Sequence, residues 1–198
     1  MAIEGLEDLL HAELKDIYDA EKQLTKALPK LVKRASAPEL KDTLKAHLRE
    51  TEQHINRLEQ VFEQLDWPLR GKKCEGMQHL IAEGNDMIAD AENDATRDAV
   101  MIAAAQKVEH YEIASYGTIR TWATLLGKTD IAALLEDTLE EEKEADLRLT
   151  GIAESFVNEE AAAAGDDEEE EEETASRGRA RRTSRGSRAV AADRLRKR

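Results

Sequence analysis

The 198-residue chain has room for one domain and a tail, and its single cysteine, Cys74, excludes an internal disulfide framework and a cysteine-built zinc site. Aromatic residues make up only 4% and prolines number three, while Ala, Leu, Glu and Lys dominate, which is an all-helical composition. The net charge of −14 is uneven: residues 161–198 hold nine acidic and ten basic side chains, leaving about −15 on residues 1–160. Such a core repels nucleic acid and attracts cations, or serves solubility alone. No apolar stretch nears the ~18 residues of a membrane span, and no basic region precedes an apolar run at the N-terminus. The expected address is the cytoplasm, without membrane contact.

Leu6, Leu10, Ile17, Leu24, Leu28 and Leu31 share one face between Ile3 and about Ala35, predicting a first long helix. Pro29 lies within it and predicts a kink or a split before the last turns. At Ser36-Ala37-Pro38 the pattern breaks; Ser36 is placed to cap the next helix and Pro38 to occupy its first turn. Leu40, Leu44, Leu48, Ile55, Leu58, Phe62 and Leu65 mark that second helix, which ends near Asp66-Trp67-Pro68.

A polar linker at 69–73 leads to a weaker helix from Cys74 to about Ala91. The third long helix spans Thr96 to Leu126, with Gly127 as its stop, and Thr129 is placed to cap the fourth. Four long helices with one long connection between the second and third describe an all-α, ferritin-like four-helix bundle, with an extra helix in that connection. Beyond residue 160 the expected domain gives way to a disordered tail, an acidic run from Asp166 to Glu173 followed by an Arg-rich stretch.

Four glutamates fall on these helices at a near-constant interval. Glu21 to Glu50 is 29 residues and Glu112 to Glu142 is 30; shifts of 91 and 92 relate the pairs, and 92 carries His54 onto Asp146. At 100° per residue, Glu112 and Glu142 lie near the centres of their apolar faces, with Asp146 one turn beyond Glu142. Glu21 sits about 50° off centre and Glu50 about 100° off, in a stripe with His47 and His54.

Any one such group is ordinarily solvated or salt-bridged. Buried together they require compensation, and carboxylates from four helices describe a cage for two hard cations, with His adding nitrogen ligands. Glu109 shares the turn of Glu112, as a ligand or an orienting partner. Glu13 is a further inward carboxylate and His110 points elsewhere. Tyr116 can hydrogen-bond a ligating carboxylate or fill core, the second being preferred.

The runs Glu7-Asp8-Leu9, Asp16-Ile17-Tyr18-Asp19-Ala20-Glu21-Lys22-Gln23-Leu24, His47-Leu48-Arg49-Glu50-Thr51, Val108-Glu109-His110-Tyr111-Glu112 within Ala103 to Gly117, and Thr138-Leu139-Glu140-Glu141-Glu142-Lys143 resemble the YciE/YciF-type ferritin-like proteins. The resemblance covers roughly residues 3–158. It implies a bacterial stress-associated bundle, distantly similar to rubrerythrin, usually dimeric, with a di-metal site. Taken with the face positions above, the candidate ligands are Glu21, His47, Glu50, His54, Glu112, Glu142 and Asp146, with Glu109 orienting them around two divalent ions, iron or manganese. His54 stands where Gln is common in the family. The ferritin-type Glu-x-x-His order is absent, since His47 precedes Glu50 and the fourth helix offers Asp146. A set so rich in carboxylate favours manganese, or holds iron weakly.

Two functions follow as expectations. One is an oxidant-handling di-metal protein with ferroxidase or peroxide-reducing activity. The other is a non-catalytic homodimeric stress scaffold whose carboxylates are protonated or paired with Lys. The Arg-rich tail is placed to contact nucleic acid through phosphates, to pair with the acidic run, or to remain solvated.

Overall fold

The computed structural model describes residues 3–165. They form α1 (Leu6–Arg34), α2 (Pro38–Gln64), α3 (Glu75–Asp90), α4 (Asp94–Leu125) and α5 (Thr129–Ile152); a π turn at Ala153–Val157 continues α5 into helical residues 158–165. There is no strand among the described residues. The helix therefore runs five residues past the boundary expected at 160. The acidic run, the Arg-rich stretch and the disorder expected of them from 166 onward lie outside the described residues.

The apolar stripes meet in one core. Leu10, Leu14 and Ile17 of α1, Leu40, Leu44 and Leu58 of α2, Met101 and Ile119 of α4, and Leu135 and Leu149 of α5 are all buried. Each such side chain contributes about 1.5–3 kcal/mol when fully removed from water. α1 packs on α2 and α4 on α5; α2 against α5 and α1 against α4 close the four-helix ring. α3, within the long connection, lies on α4 and touches α1. Among the described residues no helix is long and apolar enough to cross a membrane.

Helix ends show where local signals hold and where they yield. Gly127 adopts φ +72°, the left-handed conformation that ends α4, as expected. Pro38 opens α2, also as expected. Pro29 does not split α1, which continues to Arg34. A proline removes one ladder bond, and the buried face of α1 holds the rest together.

Ser36 does not cap α2. The buried carboxylate of Asp98, from α4, accepts from Ser36 N at 2.9 Å and from Ala37 N at 2.6 Å instead. Thr129 is the first residue of α5 rather than its cap, a position held by Lys128. At α3 the cap is Cys74, whose sulfur accepts from Met77 N.

Candidate metal centre

Six ionisable side chains converge at mid-bundle because each lies on the inward stripe of its helix. α1 supplies Glu21, α2 His47 and His54, α4 Glu109 and Glu112, and α5 Glu142; all six are buried. Residues three or seven apart share a helix face, which is why α2 and α4 can each present two groups. They form two clusters joined by Glu142. One ligand atom each from His47, Glu109, Glu112 and Glu142 lie within 4.8 Å of one another, and so do those of Glu21, His54 and Glu142.

The contacts within the cluster converge without pairing. His54 Nδ1 is 3.0 Å from Glu142 Oε1 and 3.4 Å from Glu21 Oε1, and His47 Nε2 is 3.2 Å from Glu109 Oε1. Yet neither His54 Nδ1 nor His47 Nε2 makes an aligned hydrogen bond. Glu112 and Glu142 leave both carboxylate oxygens unpartnered. Of twelve unpartnered buried side-chain N or O atoms among the described residues, nine belong to these six residues. Orphaned polar atoms are rare inside proteins, and each costs about 1–3 kcal/mol.

Around this cluster stands a supporting layer. His54 Nε2 lies 2.8 Å from Glu141 Oε2, and Arg57 donates to both oxygens of Glu141. Tyr116, fully buried, donates its hydroxyl to Glu21. Tyr116 thus fills core, as preferred, and also holds a carboxylate of the cluster.

Burial pushes the carboxyl groups of Glu109 and Glu112 well above the usual range, neighbouring carboxylates adding to the effect at Glu112. Burial also raises Glu21, against the pull of His54. Glu142 is held below the ordinary range, because contacts with His54 and His47 outweigh its own burial. Desolvation lowers both histidines, but the surrounding carboxylates outweigh it, lifting His47 to about 9 and His54 to about 11. Without a cation, protons must supply the missing positive charge.

The donor set fits hard or borderline cations. Four carboxylates and two imidazoles suit iron or manganese, and the four negative charges are what two divalent ions would neutralise. Glu142 is common to both clusters.

Two expected members do not join. Glu50 stands outside both clusters; its carboxylate is 2.7 Å from Arg148 Nη2, and its side chain is 28% exposed. Its 100° offset from the apolar face leaves it on the flank, where Arg148 draws it outward. His47 Nδ1, 3.6 Å away, is its remaining link to the cluster. Asp146, one turn past Glu142, accepts from Gln106 Nε2 at 3.1 Å and lies 3.5 Å from His110 Nε2. That pairing keeps both Asp146 and the exposed His110 out of the clusters, and Glu13 joins neither. Glu141 and Arg57 were not anticipated. The readable signal was Arg57 three residues after His54, on the same side of α2.

Relatives carry the same fold. The chain is 48% identical over 162 residues to the protein YciF of Escherichia coli K12, covering 81% of this chain and 98% of that protein. The crystal structure of the E. coli stress protein YciF superposes with a TM-score of 0.75, covering 78% of this chain and 98% of that one. YcfI of Rhodopseudomonas palustris gives 0.74 at 44% identity, over 75% of this chain and 94% of that one. A protein of Xanthomonas campestris, XCC3681, gives 0.58 at 25% identity, over 77% and 92% of the respective chains. The family model described as "Domain of unknown function (DUF892)" matches residues 5–162, and the chain belongs to that family.

Proposed function

We propose that this protein is a stress-associated di-metal carboxylate protein in which Glu21, His47, His54, Glu109, Glu112 and Glu142 hold two divalent cations, iron or manganese. The observation that carries the reading is the convergence of nine unpartnered, buried ligand atoms from four helices. The stress role is carried over from the relative described as a stress protein. Bound ions of this kind supply adjacent redox-active Lewis acids able to exchange electrons with dioxygen or peroxide. The chain's own residues prepare the place. Glu141 holds the proton at His54 Nε2, Tyr116 fixes the orientation of Glu21, and the surrounding leucines keep water out. A homodimer and cytoplasmic residence belong to the same reading.

A second reading has its own support. With His54 protonated against Glu142 and Glu21, His47 protonated among Glu109, Glu50 and Glu142, and protons retained on the raised carboxyl groups, the cluster can neutralise itself without metal. The protein would then be a non-catalytic scaffold.

Element analysis after anaerobic loading with Fe(II) or Mn(II) separates the two. The wild type is expected to retain about two ions per chain, and the Glu112→Ala, Glu142→Ala double variant almost none. Less than about one ion in the wild type, with unchanged melting in the double variant, would select the scaffold.

A further inference from the structure

A partly open cavity of about 40 Å³ lies between α1, α3 and α4. Leu24 and Leu28 of α1, Leu80 and Ile88 of α3, and Ala105 and Val108 of α4 wall it, and His47 and Glu109 close one end. Gly84 is what lets α3 approach so closely, since a Cβ there would stand 3.0 Å from the Ala104 methyl. The two polar residues are at least nine-tenths buried, and His47 Nδ1 and Nε2 and Glu109 Oε2 are unpartnered.

The lining decides what this space can hold. Water needs about 10–15 Å³ and two to four polar partners, which apart from Asn85 the lining offers only at the His47–Glu109 end, the rest of the walls being apolar. Hydrogen peroxide meets the same obstacle, because its hydrogen bonds to water would be lost without replacement. A diatomic apolar gas loses nothing on entering.

We propose that this cavity binds dioxygen and delivers it to the His47–Glu109 side of the cluster. What dioxygen meets there rests on the metal-centre reading; the cavity's affinity for a small apolar molecule does not.

Xenon is the probe, applied under pressure to the metal-free wild-type protein and followed in crystals or by methyl NMR. It is expected to occupy the cavity and to shift the methyl signals of Leu24 and Val108. Ala27→Leu and Ala105→Leu, from facing walls, are expected to abolish that occupancy. In iron-loaded protein each variant should slow dioxygen consumption about tenfold, equivalent to about 1.4 kcal/mol of barrier, with peroxide consumption unchanged. Absence of xenon from the wild type overturns the proposal, as does an unchanged dioxygen rate in a plugged variant that retains iron. Should neither variant fold, xenon in the wild type decides alone. Failure of the wild type to load iron sinks the metal reading, and xenon occupancy still decides the cavity.

Discussion

His54 Nε2 meets Glu141 Oε2 at 2.8 Å, and Arg57 grips Glu141 through Nη1 at 2.8 Å and Nη2 at 3.1 Å. On the metal-centre reading, Glu141 would hold the proton at Nε2 and leave Nδ1, which faces Glu142 and Glu21, as the lone pair offered to a cation. An imidazole so oriented is a better ligand than one free to rotate.

Glu141→Ala is therefore expected to weaken metal binding about 10–100-fold, with Arg57→Ala acting in the same direction and less strongly. Isothermal titration of both variants with Mn(II) checks this. Wild-type affinity in Glu141→Ala would mean that the ring needs no external support.

If the cluster holds metal as proposed, metal and protons compete for it, which sets a pH dependence. The surrounding carboxylates lift His47 to about 9 and His54 to about 11, above the ordinary 6.5 of an unfolded chain. Their contribution to stability is thus complete below about 6.5 and is lost as pH rises through the folded values. The raised Glu109 and Glu112 act in the same sense, because an unfolded chain has already shed those protons. Metal-free protein should melt at progressively lower temperature from pH 7 to about pH 9, whereas metal-loaded protein should show a flatter profile. Calorimetry with and without chelator gives the comparison. Metal addition in weak buffer should also release protons to an indicator dye. Parallel melting profiles would contradict the account.

Glu112→Met replaces a buried carboxyl, unpartnered at both oxygens, with an apolar side chain of similar length. The metal-free protein should gain about 1–2 kcal/mol, measured by urea unfolding, while metal retention falls. A destabilised metal-free variant would show that Glu112 has a structural partner.

Asp98→Ala removes the carboxylate that accepts from Ser36 N and Ala37 N. Two half-buried donors just before α2 are left without their partner, at a cost of about 1 kcal/mol. Hydrogen exchange should locate the loss at the first turn of α2, with metal stoichiometry unchanged. Exchange that accelerates evenly over the whole bundle would contradict a local cap.

Helix positions were legible because leucines recurring every three or four residues leave little choice of face, and because Gly127 has the one backbone conformation that suits a stop. Asp98 was not legible, since it caps a helix some sixty residues away in sequence and no local pattern announces it. The same holds for Glu141 and Arg57, which meet only when α2 lies on α5. The regular interval between glutamates proved informative but not literal. Glu21, Glu112 and Glu142 come together, whereas Glu50 stays out; α2 contributes His47 and His54 instead, and the fourth carboxylate is Glu109 of α4. Helical rotation had marked Glu50 as the outlying member, and Arg148 supplies the physical reason it faces outward.

The way the ligand clusters are shared between helices has a practical consequence. His47 comes from the first hairpin while Glu109, Glu112 and Glu142 come from the second; Glu21 and His54 belong to the first and again need Glu142. Neither hairpin alone holds a complete set. If the chain were cut in the linker at 69–73 and the two pieces expressed separately, metal uptake would become a readout of their reassembly. The cation would then act as a removable cross-link in a fragment-complementation pair, one that a chelator could open and fresh metal could close.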